Sequence, residues 1–467
     1  MIVMKFGGTS VGSPPAFQNA ITLVERAVPR DPVVVVSALA GMTDLLLRFA
    51  REPGARSELA ARFEERHRSL AHEVELDDGA LEAIFAAFRD EVRAWGAAGT
   101  PPAPAAIADP AGTPDPAATS RSRDGRALDR LLSFGERTSA VLFAAKLEKS
   151  GVPARALHAG EAGLVTDERF GAAHPLPDAY AQLRIGLGGR PPLPVVTGFI
   201  GRTRDGETTT LGRGGSDFSA AIVGAALGAE EIQIWTDTSG MMSADPRIVT
   251  EARPVPRLSF AEASELAYFG AKVLHPKTIL PAVERGIVVR VLNTQRPEDP
   301  GSRITTETDP SEATWRIKSI ACKKGVTSVT VDSTRMLMAY GFLTRVFEIF
   351  GRHRIVVDLV TTSEVSISLT IDDPTRIDEA VSELEAIGRV IVKRDLAVIA
   401  VVGEGAATRM GLAGHVFTLL GGVGIGVEMI SQGASRINLS FVVKQEDADR
   451  AVRLLHRGLG LDAMPAA

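Results

Sequence analysis

Glu207–Leu227 reads ETTTLGRGGSDFSAAIVGAAL. Three threonines open it, and a helical apolar pattern at Phe218, Ala221, Ile222, Ala225 and Ala226 closes it. Between them stand Gly212, Arg213, Gly214, Gly215, Ser216 and Asp217. Glycines just before a helix let backbone N–H groups approach an anion, and the helix start adds partial positive charge. Arg213 supplies a planar fork for a carboxylate or phosphate. Asp217 falls in the first helical turn, where an acid also serves as a good N-terminal residue. A lone Gly-x-Gly-Gly is usually a capped turn. Threonines, arginine and aspartate packed into the same turn make that reading poorer, and one segment does not decide between a capped turn and a ligand site.

The flanking segments set this turn in a sheet. Upstream, Pro194–Gly201 (PVVTGFIG) is a strand and turn, joined through a hairpin at Arg204–Glu207. Downstream, the strand Glu231–Trp235 runs into Thr236–Arg247 (TDTSGMMSADPR). At the start of the chain Met1–Lys5 is a short buried strand followed by Phe6-Gly7-Gly8-Thr9-Ser10, and a helix over Pro14–Val28 comes next. Pro32–Val36 is then too apolar for an exposed strand and ends in Ser37–Thr43 (SALAGMT). Strand, small-residue loop, helix and strand is the grammar of a covered parallel sheet, whose ligands sit beyond the C-terminal strand ends. Lys5, Ser37 and Thr43 are all at such ends.

The 467 residues suit two to four domains, and an apolar share of 45% with 23% charged residues allows ordinary cores. A net charge of −5 argues against nucleic acid or an acidic membrane as the main partner. Cys322 is the only cysteine, which excludes an internal disulfide and a cysteine-based metal site and fits a reducing cytoplasm. Neither a signal-peptide pattern nor an apolar run of membrane-spanning length is present.

Glu52–Ala94 is a polar helical excursion, in which His67 and His72 are expected to decorate a solvated face rather than bind metal. Gly96–Gly125 is rich in Ala, Pro and Gly and reads as a mobile surface loop dispensable for catalysis. Ser133–Arg137 (SFGER) places Glu136 in an apolar helix, where a carboxylate needs a partner: a neighbouring base, or the ammonium group of a substrate. Gly270–Pro276 (GAKVLHP) and the strand Val288–Val291 complete this half.

KFGGTSV, SALAGMT, SFGER, VTGFIG, TTTLGRGGSD, TDTSGMMSADPR and GAKVLHP follow one another in an order that resembles the aspartate kinases. The resemblance implies an α/β fold, the open α/β sandwich of the amino-acid-kinase type, over residues 1–297, with the γ-phosphoryl of MgATP passing to the side-chain carboxylate of L-aspartate. It implies that Lys5 holds the transferring phosphoryl, with the Gly7 and Gly8 amides beside it, and that Asp217 orients Lys5. Arg213 matches the fork for the substrate α-carboxylate and Glu136 the partner of its ammonium, with Ser37, Thr43, Phe199, Gly214, Gly215 and Ser216 completing that pocket. Thr236, Asp237, Met242, Asp245, Arg247 and Lys272, together with Lys5, match the nucleotide positions; many relatives carry Tyr where this chain has Met242. Magnesium is expected to arrive with ATP, without a protein cage.

After Pro297–Gly301 two α+β units of similar grammar follow. They resemble ferredoxin-like ACT domains, the first over 325–393 and the second over 394–463. The spare strand Ile317–Ala321 within 316–324 is expected to close the second unit and interleave the two. MLMAYGFLTRVF and VVDLVTTSEVSISLT most resemble the lysine-sensitive type, so Met336, Phe342, Leu343, Asp358, Thr362, Ser363, Glu364 and Val365 are the implied effector pocket. Asp358 or Glu364 would take an effector ammonium. Threonine stays open as effector. Exposed strand edges favour a homodimer or larger assembly. With the sequence ending at Ala467, no homoserine dehydrogenase domain is expected to follow, and GVGIG at Gly422–Gly426 is expected to fall inside the second ACT unit rather than open a Rossmann unit. Two alternatives stand: a related kinase acting on another carboxylate or carbamate, and a non-catalytic amino-acid-binding regulator. A NAD-linked oxidoreductase lacks its strand-anchored Gly-x-Gly-x-x-Gly.

Overall fold

The structure is a computed structural model. It describes residues 1–77, 79–97, 123–189, 191–270, 276–306, 317–336, 340–404, 410–432 and 437–463. Lys272 and most of the Ala/Pro-rich stretch lie outside these residues. The ends of that stretch are helical, since Gly96 closes the helix Gly79–Ala97 and Gly125 belongs to the helix Arg123–Lys149. The chain divides into two compact units, the first ending at Gly240 and resuming over 273–306, the second containing Met241–Lys272 and 307–467. Among the described residues no helix is long and apolar enough to cross a membrane.

In the first unit the strands β1 (Ile2–Phe6), β2 (Pro32–Val36), β3 (Ala154–Leu157), β4 (Leu193–Thr197) and β7 (Glu231–Thr236) lie in the order β3-β4-β2-β1-β7. All their pairings are parallel, as is that of β7 with Val288–Asn293. Two further strands, β5 (Ile200–Arg202) and β6 (Thr208–Thr210), form the hairpin read from the sequence. Side chains alternate between sheet faces. On β1, Ile2, Met4 and Phe6 enter a core with Phe17, Leu46, Phe63, Phe88 and Phe143, while the other face packs under the helix Gly215–Leu227. That helix is apolar all round, as a helix enclosed by sheet and neighbouring helices must be.

One sequence expectation fails here. His67 is fully buried rather than solvated, lying against Phe63 with its Nδ1 2.7 Å from the Phe63 carbonyl oxygen. Burial drives its pKa down to about 4, so the ring is held neutral. The polar composition of Arg56–Glu73 hides a single apolar face formed by Leu59, Phe63, His67 and Leu70, at helical spacing.

The second unit is built on a six-stranded antiparallel sheet. Its two central strands, Ser319–Asp332 and Arg389–Val402, run past each other along their whole length. Each was legible as two short strands. Ser319–Lys324 pairs with Ala397–Val402, Val326 pairs with Leu396, and Ser328–Asp332 pairs with Arg389–Lys393 as well as Ser366–Thr370. Gly325 at φ +78° and Asp395 at φ +55° absorb the register shift between the halves. Separate cores flank the two ends, one around Val346, Phe350 and Leu369, the other around Val416, Phe441 and Val452.

The helix Phe260–Tyr268, which sequence alone groups with the first half, belongs to this second unit. Glu262 on it is fully buried and accepts from Ser259 N, Lys318 Nζ and Glu404 N, while Glu265 accepts from Asn438. These anchors come from segments far apart in the chain, so local pattern could not have revealed them.

Candidate active site

Parallel register brings four strand ends level. Phe6 lies opposite Val36 and Trp235, and Val36 lies opposite Thr197. The loops that follow begin at Gly7, Ser37 and Gly198, with Asp237 just beyond the end of β7. They therefore open on one edge of the sheet.

Lys5 shares the sheet face of Val3 and points at the helix Gly215–Leu227. Its Nζ stands 2.5 Å from Asp217 Oδ1, and the two side chains are 10% and 12% exposed. Burying both charges is tolerable because they are paired. The Gly7 N–H is taken by the Trp235 carbonyl, so of the two glycine amides only that of Gly8, at the start of a helical turn, lies outside the sheet ladder. Gly8 has a second duty: a Cβ there would stand 2.8 Å from the Ala38 carbonyl oxygen, closing off the approach of the two loops.

Glu136 is 3% exposed, and its Oε2 has no hydrogen-bond partner among the described residues. Burial lifts its pKa to about 8, only partly countered by the Ala38 N–H. A buried, half-satisfied carboxylate is an acceptor for a cation that the hydrogen bonds among the described residues do not supply. The neighbouring base Arg137 is not that cation; it stacks on Phe134. Ser37 and Thr43 are half-buried in the adjoining loop and helix start.

The Gly212–Ser216 turn is held from two sides. Gly214 caps the helix at φ +70°, and Gly215 sits so close to Phe199 that a Cβ would meet its ring at 2.6 Å. Ser216 approaches Gly198 in the same way, its Cβ standing 2.7 Å from the position of an added Cβ. Phe199 itself adopts φ +65°, rare for a bulky residue. It is held there by donating to Ser219 Oγ at 3.0 Å and accepting from Leu211 N at 2.8 Å. Arg213 is exposed.

Sequence reasoning missed Asp129. It is 1% exposed and accepts from Gly171 N, Thr210 N and Thr210 Oγ1 at 2.8–2.9 Å. Burial raises its pKa to about 7 against the pull of those donors. The available signal was a second carboxylate two helical turns before Glu136 on the same face.

Of the nucleotide candidates, Thr236 donates to Asp237 Oδ1 at 3.2 Å, and the Asp237 carbonyl accepts from Asn293. Met242, Asp245 and Arg247 belong to the second unit. There Arg247 grips Asp245 through Nε and Nη2 at 2.6–3.1 Å, which raises the guanidinium pKa further, and the Met242 carbonyl accepts from Ser319 Oγ. Among the described residues no group of three His, Cys, Asp or Glu could hold a metal ion.

Of the implied effector residues, Thr362–Val365 lie at the Val331–Ser333 end of the second unit's sheet, whereas Asp358 lies further along, bonded to Thr370. Phe342 is in the core there and Met336 packs against it, while Leu343, Thr362, Ser363, Glu364 and Val365 are exposed. Asp358 already has cationic and hydroxyl partners: Tyr268 Oη donates to it and Lys323 Nζ stands 3.2 Å away. Lys323 also pairs with Asp372, whose pKa burial and the nearby Asp358 push up to about 6.

Comparison with known proteins divides the chain differently, since the first match takes in the stretch from Met241 that belongs to the second compact unit. Residues 1–293 match the amino acid kinase family and residues 399–459 match an ACT domain. The chloroplastic aspartokinase 3 of Arabidopsis thaliana is 39% identical over 97% of this chain and 80% of its own length. The lysine-sensitive aspartokinase 3 of Escherichia coli is 36% identical over 98% of this chain and 99% of its own. The crystal structure of E. coli aspartokinase III with aspartate and ADP superposes with a TM-score of 0.79 at 34% identity, covering 98% of this chain and 99% of that one. Its complex with lysine and aspartate gives 0.76 at the same identity and coverage.

Proposed function

This chain belongs to the aspartokinases, and we propose that it moves the γ-phosphoryl of MgATP onto the side-chain carboxylate of L-aspartate in the cytoplasm, under feedback inhibition by L-lysine. The observation that carries the reading is the buried Lys5–Asp217 pair on the sheet edge where the Glu136 carboxylate is left half-satisfied. Phosphoryl transfer requires positioning and charge neutralisation more than covalent chemistry. Lys5 carries a positive charge to the transferring phosphoryl, and Asp217 fixes the direction of Nζ. The Gly8 amide adds a neutral donor. Glu136 takes the substrate ammonium and Arg213 its α-carboxylate, leaving the side-chain carboxylate free to attack. The free Oε2 of Glu136 favours an amino acid over an N-acylated substrate, which has no ammonium to offer.

Thr236 and Asp237 suit the nucleoside, with Asp245, Arg247 and Lys272 as further nucleotide residues by similarity. Magnesium would come bound to the ATP phosphates, whose oxygens and water ligands satisfy it. The E. coli relative with lysine bound, and the exposed Leu343, Thr362, Ser363, Glu364 and Val365, support lysine as effector. The strand pairing of Ser319–Lys324 with Ala397–Val402 supports interleaved ACT modules over 325–393 and over 316–324 with 394–463, after a catalytic half reaching 297. Their outer strands would join two copies into a homodimer or larger assembly.

The test is hydroxylamine trapping of the acyl phosphate, with and without L-lysine. Aspartate-dependent hydroxamate suppressed by lysine supports both halves of the proposal. Product insensitive to lysine sinks lysine as the effector and turns attention to threonine. Without aspartate-dependent product the substrate assignment fails.

A further inference from the structure

Asp129 and Glu136 stand on one face of the helix Arg123–Lys149, seven residues or about 10 Å of helical rise apart. Glu136 faces the substrate edge, and Asp129 binds elsewhere. Its two carboxylate oxygens take three donors from two segments, Gly171 N on one and Thr210 N and Oγ1 on the other. Those segments are also joined directly, Ala173 N donating to the Thr210 carbonyl at 2.8 Å. Gly212 passes the Gly171 carbonyl so closely that a Cβ would stand 3.2 Å from it. One helical turn before Asp129, the Arg126 guanidinium lies 5.3 Å from the centre of the Phe170 ring, next to Gly171. The helix thus fastens the 170–173 segment and the end of β6 at one point. Three residues beyond Thr210 the chain reaches Arg213, whose exposed side chain gets its position from the backbone of this loop.

We infer that Asp129 is a positioning residue for substrate selection: it fixes the Arg213 loop to the same helix that carries Glu136, and so sets the spacing between carboxylate and ammonium partners of the amino-acid head group. The inference rests on the assignment of Arg213 and Glu136 to those two groups. An ionised carboxylate is the side chain suited to the post, because all three groups facing it are donors and it accepts without donating. Asparagine is isosteric, but its oxygen can replace only Oδ2 opposite the two backbone N–H groups, its NH2 then facing the Thr210 hydroxyl, so the bonds lose the assistance of the carboxylate charge. Threonine at 210 contributes one donor through its hydroxyl, which valine lacks at nearly the same shape.

The experiment compares Asp129→Asn, Thr210→Val, Arg213→Ala and the double variant Asp129→Asn/Arg213→Ala in the full-length enzyme, with KM and kcat measured for each substrate. Arg213→Ala is expected to raise KM for aspartate. Asp129→Asn is expected to raise it by about tenfold, the scale of a lost charge-assisted hydrogen bond, with kcat and KM for ATP changed less than about threefold. Thr210→Val should give a smaller rise in the same direction. In the Arg213→Ala background Asp129→Asn should add less than about twofold, since residues that act through one another are not additive. A merely structural role would instead add in full or lower kcat and both KM values together, and either result overturns the inference. Should Asp129→Asn fail to fold, Thr210→Val and its double variant with Arg213→Ala carry the same comparison. If Arg213→Ala leaves KM for aspartate unchanged, the head-group assignment fails. If it raises KM and neither Asp129→Asn nor Thr210→Val does, the assignment stands and the positioning role falls.

Discussion

At the residue scale, the site depends on charges held where water cannot stabilise them. Glu136 shows the consequence. Its folded pKa of about 8 lies above the ordinary 4.5, so the folded state binds the proton more tightly than the unfolded one. The associated stability is fully present below about 4.5 and is lost as pH rises through about 8. Glu136→Gln removes that loss, so the variant should melt higher than the parent above pH 8. It should also bind aspartate worse by roughly 10–100-fold, because an amide gives up the charge-assisted bond. In the parent, kcat/KM for aspartate should rise with pH through about 8, reporting the free enzyme. The rise should vanish in the variant; a limb that persists would assign the titration to another group.

Elements, in turn, are fixed by a few buried polar groups as much as by apolar stripes. His67 locks the helix Arg56–Glu73 onto its neighbours while staying neutral. Its folded pKa lies below the ordinary value, so the stability it contributes is present above pH 6.5 and is lost as pH falls through about 4. The loss over that window is about 3 kcal/mol. His67→Leu should flatten the acid limb of a urea-midpoint profile between pH 6.5 and 4, and an unchanged limb would clear His67 of acid sensitivity. Glu262 makes the same point for the helix Phe260–Tyr268: it is fully buried, paired with Lys318, and reciprocates the Ser259 cap. Glu262→Ala leaves a buried ammonium and two backbone donors unmatched and should cost about 3–5 kcal/mol of stability in denaturant. A loss under about 1 kcal/mol would mean that water takes over the role.

For the whole molecule, catalysis and sensing are assigned to different parts of the chain, and the two should be separable. Lys5→Ala should lower kcat at least about a hundredfold, the scale for removing one stabiliser of developing charge. L-lysine should still raise Tm in that variant, since binding to the folded state alone stabilises it. Loss of the Tm shift together with turnover would tie effector binding to the catalytic centre. The sequence by itself determined the parallel sheet, the strand-end loops, the hairpin before the Gly212–Ser216 turn and the αβ rhythm of the last third. Each of these is written in local periodicity and in glycines at positions where only glycine fits. Glu136 was also legible, because a carboxylate in an apolar helix is conspicuous at short range. Only tertiary structure decided that the helix Phe260–Tyr268 joins the second unit, that four short strands are two long ones, that His67 is buried, and that Asp129 fastens Thr210 across 81 positions of chain. The physical reason is the same in each case. Hydrophobic period reports which way a residue faces, whereas the partner that satisfies a buried charge comes from wherever the chain returns, and spacing along the sequence carries no record of that meeting.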